Sequence, residues 1–209
     1  MVEKQDLDPH STFSNVTVAQ LLAALASSDP TPGGGTAAAI AGAMGVSLLV
    51  MVTGLAKSRN NVDDEKAALA TARAAIEPIS PKLMQLAGAD TQAFNEVMAA
   101  YRLPKATDDD KAQRSGANQA ALRRATEVPL ETLRACSEAL AHARAIADYG
   151  NPSAASDVGV AIGLLNAAAE GAAANVRINL TGLKDEAFKA AAAAETSRLL
   201  AALTDQHLG

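Results

Sequence analysis

The sequence predicts an all-α protein: a single-domain, up-and-down bundle of long antiparallel helices around one buried small-residue helix. Three observations carry this reading. Apolar residues recur at helical spacing along most of the chain, and no segment alternates with the period of two that a half-buried strand needs. Thr36 to Ala56 runs without a charge, is rich in Ala and Gly, and is closed by Lys57 and Arg59. Such a helix must be covered nearly all round. The connections are short and punctuated by Pro and Gly, which suits antiparallel neighbours.

Taken in order, residues 1–13 read as a flexible N-terminus ahead of a helical domain over 14–209. Ser14 or Asn15 can cap a first helix over about 16–27, with Val18, Leu21, Leu22 and Leu25 at helical spacing. Ser27 to Gly35 is a turn. Pro30 and Pro32 stop what precedes them, and Gly33, Gly34 and Gly35 allow a sharp backbone turn. The second helix spans about 36–58. Residues 62–101 continue as helix, with Pro78 and Pro81 forcing a kink or break. A polar connection over 102–108 leads to a long helix over about 109–148, in which Pro129 predicts a kink. Tyr149-Gly150-Asn151-Pro152 is a stop. Ser153 or Ser156 can cap a helix over about 154–180, Gly182 ends it, and a last helix covers about 184–203.

The 209 residues suffice for one domain with a substantial core. With 2% aromatic residues that core is Ala, Leu, Val, Ile and Met. Cores of small side chains favour close helix packing, and often oligomers that bury further area between copies. A net charge of −5 and the scarcity of aromatics argue against nucleic acid as a partner. The single cysteine, Cys136, allows no disulfide framework within the chain and no Cys metal cluster, and reads as a small buried hydrophobe. Residues 1–6 carry no apolar signal region, so the expected location is cytoplasmic. The uncharged run is long enough to span a bilayer. Its small residues, the missing Trp/Tyr belt and the lack of a second such segment favour a bundle core over a membrane span.

Candidate chemistry sits in a few places. A glycine-rich turn is most often only a turn, but one feeding a helix N-terminus is also a candidate anion site, because unpaired N–H groups and the helix dipole both favour negative charge. Pro32, Gly33, Gly34 and Gly35 form that cradle. It is neither a P-loop, since no Gly-Lys-Ser/Thr follows, nor a dinucleotide fingerprint, since no β-branched strand precedes it. His10, His142 and His207 have no metal-ligand spacing, and no HExxH, CxxC or serine-hydrolase elbow occurs. Acid–base work therefore falls to carboxylates. Asp90 lies inside a mostly apolar helix, one step from its apolar face, and is either an ordinary aspartate exposed at that edge or partly desolvated, in which case burial raises its pKa toward a general base's range. Asp157 follows Ser156 at a helix start, where service to the helix dipole explains it equally well. Asn175 and Asn179, spaced i, i+4, share one helix face and either tie helices together or bind a ligand. Asp157 is eighteen residues before Asn175, about 27 Å along a helix, so either they serve different ends of the bundle or a symmetric dimer brings one copy near the other's site.

These blocks together resemble the cyclodeaminase/cyclohydrolase family of folate enzymes, over about residues 14–190. The resemblance rests on Pro30-Thr31-Pro32-Gly33-Gly34-Gly35 with Ala37–Gly45, Asp90-Thr91-Gln92-Ala93-Phe94 and Tyr101-Arg102-Leu103-Pro104-Lys105. It continues in Val128-Pro129-Leu130, Gly150-Asn151, Ser156-Asp157 and Asn175–Leu180. It implies a dimeric helical bundle acting on a tetrahydrofolate, with no metal and no cofactor besides that substrate. By the same resemblance Asp90 is the catalytic aspartate and Lys105 the second catalytic residue, either anchoring the substrate's carboxylates or assisting proton transfer, and the glycine run, Ser156, Asp157, Asn175 and Asn179 form the substrate site. The implied reaction is hydrolysis of 5,10-methenyltetrahydrofolate. The alternatives are cyclodeamination of 5-formiminotetrahydrofolate and, from another class, a non-catalytic folate-binding dimer.

Overall fold

The computed structural model describes residues 13–55 and 62–205. The expected flexible start over residues 1–12, the closing charges Lys57 and Arg59, and His10 and His207 lie outside the described residues. Among the described residues seven α-helices follow one another: α1 Val18–Leu25, α2 Gly34–Gly54, α3 Asp63–Ile76, α4 Ile79–Tyr101, α5 Asp108–Tyr149, α6 Ala155–Leu180 and α7 Glu186–Asp205. Single 3₁₀ turns sit at Phe13–Asn15 and Pro152–Ala154, and the described residues contain no strand.

Local chemistry sets the boundaries. α1 is capped by Thr17, not by Ser14 or Asn15: the Gln20 N–H donates to the Thr17 hydroxyl oxygen at 3.2 Å and Gln20 Oε1 accepts from the Thr17 N–H at 2.9 Å. Thr107 and Asp110 build the same reciprocal cap at the head of α5, at 3.0 and 2.9 Å. At the head of α6 the expected serine caps are absent. Asn151 accepts from the Ser153 N–H at 2.9 Å and starts the 3₁₀ turn, while Ala154 precedes α6 with no side-chain cap. α3 and α4 are one descending leg interrupted at Glu77 and Pro78. Pro81 does not break α4, because it sits in the first turn, where a missing N–H costs nothing.

α2 is the central helix. A methyl group placed on Gly42 would lie 2.9 Å from Cys136 of α5, 3.2 Å from Leu83 of α4 and 3.4 Å from Ala168 of α6. Three helices therefore close on one α-carbon, and Gly45 meets Ala161 and Leu165 of α6 just as tightly. By length and hydropathy α2 could cross a membrane, yet 56% of its most apolar window is buried within the bundle. Pairing of Thr36 with Ala87 and of Ser47 with Ser80 makes α4 antiparallel to α2. The contacts Gly45–Ala161, Gly42–Ala168 and Ala38–Gly171 make α6 antiparallel to it as well. Cys136 is buried at this junction, and loss of solvent pushes its thiol up to about 12, so it acts as packing rather than as a nucleophile.

Pro129 lies inside α5, which nonetheless continues unbroken from Asp108 to Tyr149. A proline cannot donate to the carbonyl four residues back, here Ala125. The Asn179 amide of α6 fills the gap, donating to the Ala125 carbonyl at 2.6 Å. Asn179→Ala strands that carbonyl in a half-buried position. The expected cost is about 1–3 kcal/mol, read as a lower urea midpoint, and an unchanged midpoint would refute this role.

Candidate functional site

The glycine run and Asp90 meet at the N-terminus of α2. Gly33 is the N-cap in extended backbone, and α2 starts at Gly34, so Gly34 and Gly35 belong to its first turn rather than to the preceding turn. No glycine among the described residues adopts positive φ. Access, not turning, is what Gly35 supplies. A Cβ there would lie 2.6 Å from Asp90 Cγ and 2.7 Å from Oδ2, with Oδ1 nearer still. The Asp90 carboxylate therefore rests directly on the Gly35 backbone. Gly34 is exposed with nothing near its Cα, and Pro32 is buried behind a cis Thr31–Pro32 peptide.

Thr36, fully buried, completes the contact. Its hydroxyl lies 3.0 Å from Asp90 Oδ2, 3.3 Å from the Ala87 carbonyl and 3.1 Å from the Thr91 hydroxyl. Burial raises the Asp90 pKa above its ordinary 3.8, and donation from the Thr36 hydroxyl and N–H opposes the rise. The helix N-terminus thus already holds an anion from its own chain, and the N–H groups of Gly34 and Gly35 point to the same end. Thr36 and Thr91 were not singled out from sequence. A threonine after three glycines reads as an ordinary first-turn residue, and its partner lies 54 positions away.

The other predicted residues separate into three places. Register along α2 and α6 puts Asn175 level with Gly35, since Gly171, one turn earlier, faces Ala38. Asn175 donates to the Gly171 carbonyl at 2.9 Å. Asn179, one turn further, is committed to α5. Exposed Ser156 and half-buried Asp157 fall level with the far end of α2, about 26 Å from Gly35 by helical rise. A single chain does not bring them to Asp90. Lys105 stands beyond the end of α4 and is also apart from Asp90. It lines a cavity of about 430 Å³ with Tyr101, Lys111, Arg114, Asn118 and Lys184. No group of three or more His, Cys, Asp or Glu among the described residues is placed to hold a metal ion.

A partly desolvated carboxylate, fixed by two donors and open to one side, is suited to taking a proton from water and returning it. The family described as Formiminotransferase-cyclodeaminase matches residues 17–198. A methenyltetrahydrofolate cyclohydrolase of Methylorubrum extorquens is 42% identical over 187 residues, covering 90% of each chain. A formimidoyltransferase-cyclodeaminase of Rattus norvegicus is 30% identical over 88% of this chain, which spans 34% of that longer protein. The crystal structure of a formiminotetrahydrofolate cyclodeaminase from Thermotoga maritima superposes with a TM-score of 0.82 at 28% identity, over 93% of both chains.

Proposed function

This chain belongs to the formiminotransferase-cyclodeaminase family, and from that premise we propose that it is a folate one-carbon enzyme hydrolysing 5,10-methenyltetrahydrofolate to 10-formyltetrahydrofolate. The observation that carries the reading is the Asp90 carboxylate seated on Gly35 and held by Thr36. The cyclohydrolase relative, matched over 90% of its own length, favours hydrolysis over cyclodeamination.

The methenyl bridge is a cationic amidinium whose carbon is already electrophilic. Ionised Asp90 sits beside that positive charge and takes a proton from the attacking water as the C–O bond forms. The neutral tetrahedral adduct then collapses. Asp90 returns its proton to N5, the C–N5 bond breaks, and the hydroxyl proton leaves as the formyl carbonyl forms on N10. One proton is released overall. The first-turn N–H groups of Gly34 and Gly35, behind Pro32 and Gly33, offer donors to the pterin carbonyl, with the Asn175 side chain level with them. Lys105, beyond the end of α4 on the wall of the basic cavity, anchors the substrate's carboxylates.

The working form is a cytoplasmic homodimer with no nucleic-acid or membrane partner. Support for the dimer is the apolar strip that α2 leaves exposed, Met44, Met51 and Leu55. Pairing two antiparallel α2 strips would carry Ser156 and Asp157 of one copy toward Asp90 of the other. Light scattering checks this, and a fully active monomer would refute the shared site.

Because Asp90 must be ionised to act, activity falls as pH falls through its raised pKa. The acid limb of kcat/KM is expected above the ordinary aspartate value, and a limb at or below 3.8 would contradict the buried-base assignment. Substrate choice is decided by two parallel assays, loss of methenyl absorbance and ammonia release from 5-formiminotetrahydrofolate. Loss of methenyl without ammonia release supports the hydrolase. Ammonia release with methenyl accumulating makes the protein a cyclodeaminase.

A further inference from the structure

The cavity between the end of α4 and the first turns of α5 is basic. Lys105, Lys111, Arg114 and Lys184 line it and no carboxylate does. Lys111 is paired with Asp108 at 2.8 Å and Lys184 reaches the Ser115 hydroxyl at 3.2 Å, so the wall is partly fixed before any ligand arrives. Two polar atoms of its lining residues are buried without a hydrogen-bond partner: Arg114 Nε, a donor, and Asn118 Oδ1, an acceptor. They stand four residues apart on α5, hence on one face. Unpaired buried polar atoms each cost free energy and ask for an occupant. A donor with positive charge beside an acceptor matches a carboxylate next to an N–H group.

An N-acylated amino acid has that pattern, its amide N–H one carbon from the α-carboxylate. We propose that this cavity is a subsite for an N-acylated glutamate, in which Arg114 receives the α-carboxylate, Asn118 accepts from the amide N–H, and Lys105 and Lys184 face the side-chain carboxylate. The inference rests on the folate reading, since the benzoylglutamate end of a folate carries this group. Placement agrees. Tyr101, at the cavity, is eleven residues from Asp90, close to three full turns, so both project on the same side of α4 about 16 Å apart. The aryl ring and amide of the folate arm extend along that stripe from the one-carbon bridge. The reach of the Asp90 and Arg114 side chains closes the remainder.

The test is calorimetric titration of the full chain with p-aminobenzoylglutamate, p-aminobenzoate and inorganic phosphate, with steady-state kinetics on methenyltetrahydrofolate. p-Aminobenzoylglutamate is expected to bind, and Arg114→Met to weaken it about tenfold or more, raising KM alike while leaving kcat within a small factor. Asn118→Leu serves as the second variant should Arg114→Met fail to fold. Equal binding of phosphate with the same dependence on Arg114, or an unmoved KM in both variants, overturns the subsite. Full activity with an unmoved KM would sink the inference and leave the folate reading standing. Arg114-dependent binding of p-aminobenzoylglutamate by a protein inactive on both folates would uphold the subsite and sink the assigned reaction.

Discussion

Asp90→Asn is expected to lower kcat for methenyltetrahydrofolate hydrolysis about a hundred- to ten-thousand-fold, the usual contribution of a positioned general base. The amide keeps the shape and still accepts from the Thr36 N–H, but it cannot take a proton from water. The fold should not suffer. Asp90 holds its proton more tightly in the folded chain than in the unfolded one, because burial penalises its charge. Its stabilising contribution is therefore fully present below the unfolded value of 3.8 and is lost as pH rises through the higher folded value. At neutral pH the ionised carboxylate is a liability to the fold, so the asparagine variant should melt no lower than the wild type. Inactivity with an unchanged or raised melting temperature supports the base, whereas unchanged turnover would remove the assignment.

Gly35→Ala is the second large effect, expected to reduce kcat on the order of a hundredfold, as an ångström-scale misplacement of a catalytic group does. The added methyl would stand 2.6 Å from Asp90 Cγ, and the carboxylate must leave the α2 N-terminus to admit it. KM should move less than kcat, because the displaced group acts in the reaction more than in binding. Gly163→Ala is the matched control. That position on α6 is exposed with nothing within 4 Å of an added Cβ, so activity should be retained. Equal activity of the two variants would show that the contact between Gly35 and Asp90 does not matter.

Much of the fold was legible in sequence because its signals are local. The uncharged small-residue run marked the central helix, and Tyr149-Gly150-Asn151-Pro152 separated α5 from α6. Pro78 marked the break between α3 and α4. Pro129, read from sequence as a kink, lies inside a helix assigned without interruption from Asp108 to Tyr149, and Asn179, fifty residues later, takes the carbonyl that the proline leaves free. That exchange also separates Asn179 from Asn175. Their i, i+4 spacing suggested a common role, but Asn175 bonds within its own helix and Asn179 across to another.

At the site, Asp90 and the glycine run were each visible as candidates, one as a carboxylate in an apolar helix and the other as a cradle. Their contact was not, since it joins positions 55 apart and depends on α2 and α4 lying antiparallel. The glycines suggested a sharp turn, and the structure instead uses Gly35 for close approach at ordinary backbone angles. The basic cavity was legible only through Lys105. Arg114 and Asn118 sit in a polar helical stretch where nothing local distinguishes them from solvated surface.

Hydrolysis of the methenyl bridge at this site is tested by the rate at which purified protein discharges methenyltetrahydrofolate absorbance, against buffer alone and against Asp90→Asn. The expected result is a wild-type rate far above buffer, with the variant near the buffer rate while still folded. A wild-type rate equal to that of buffer, or a variant as fast as the wild type, would contradict it.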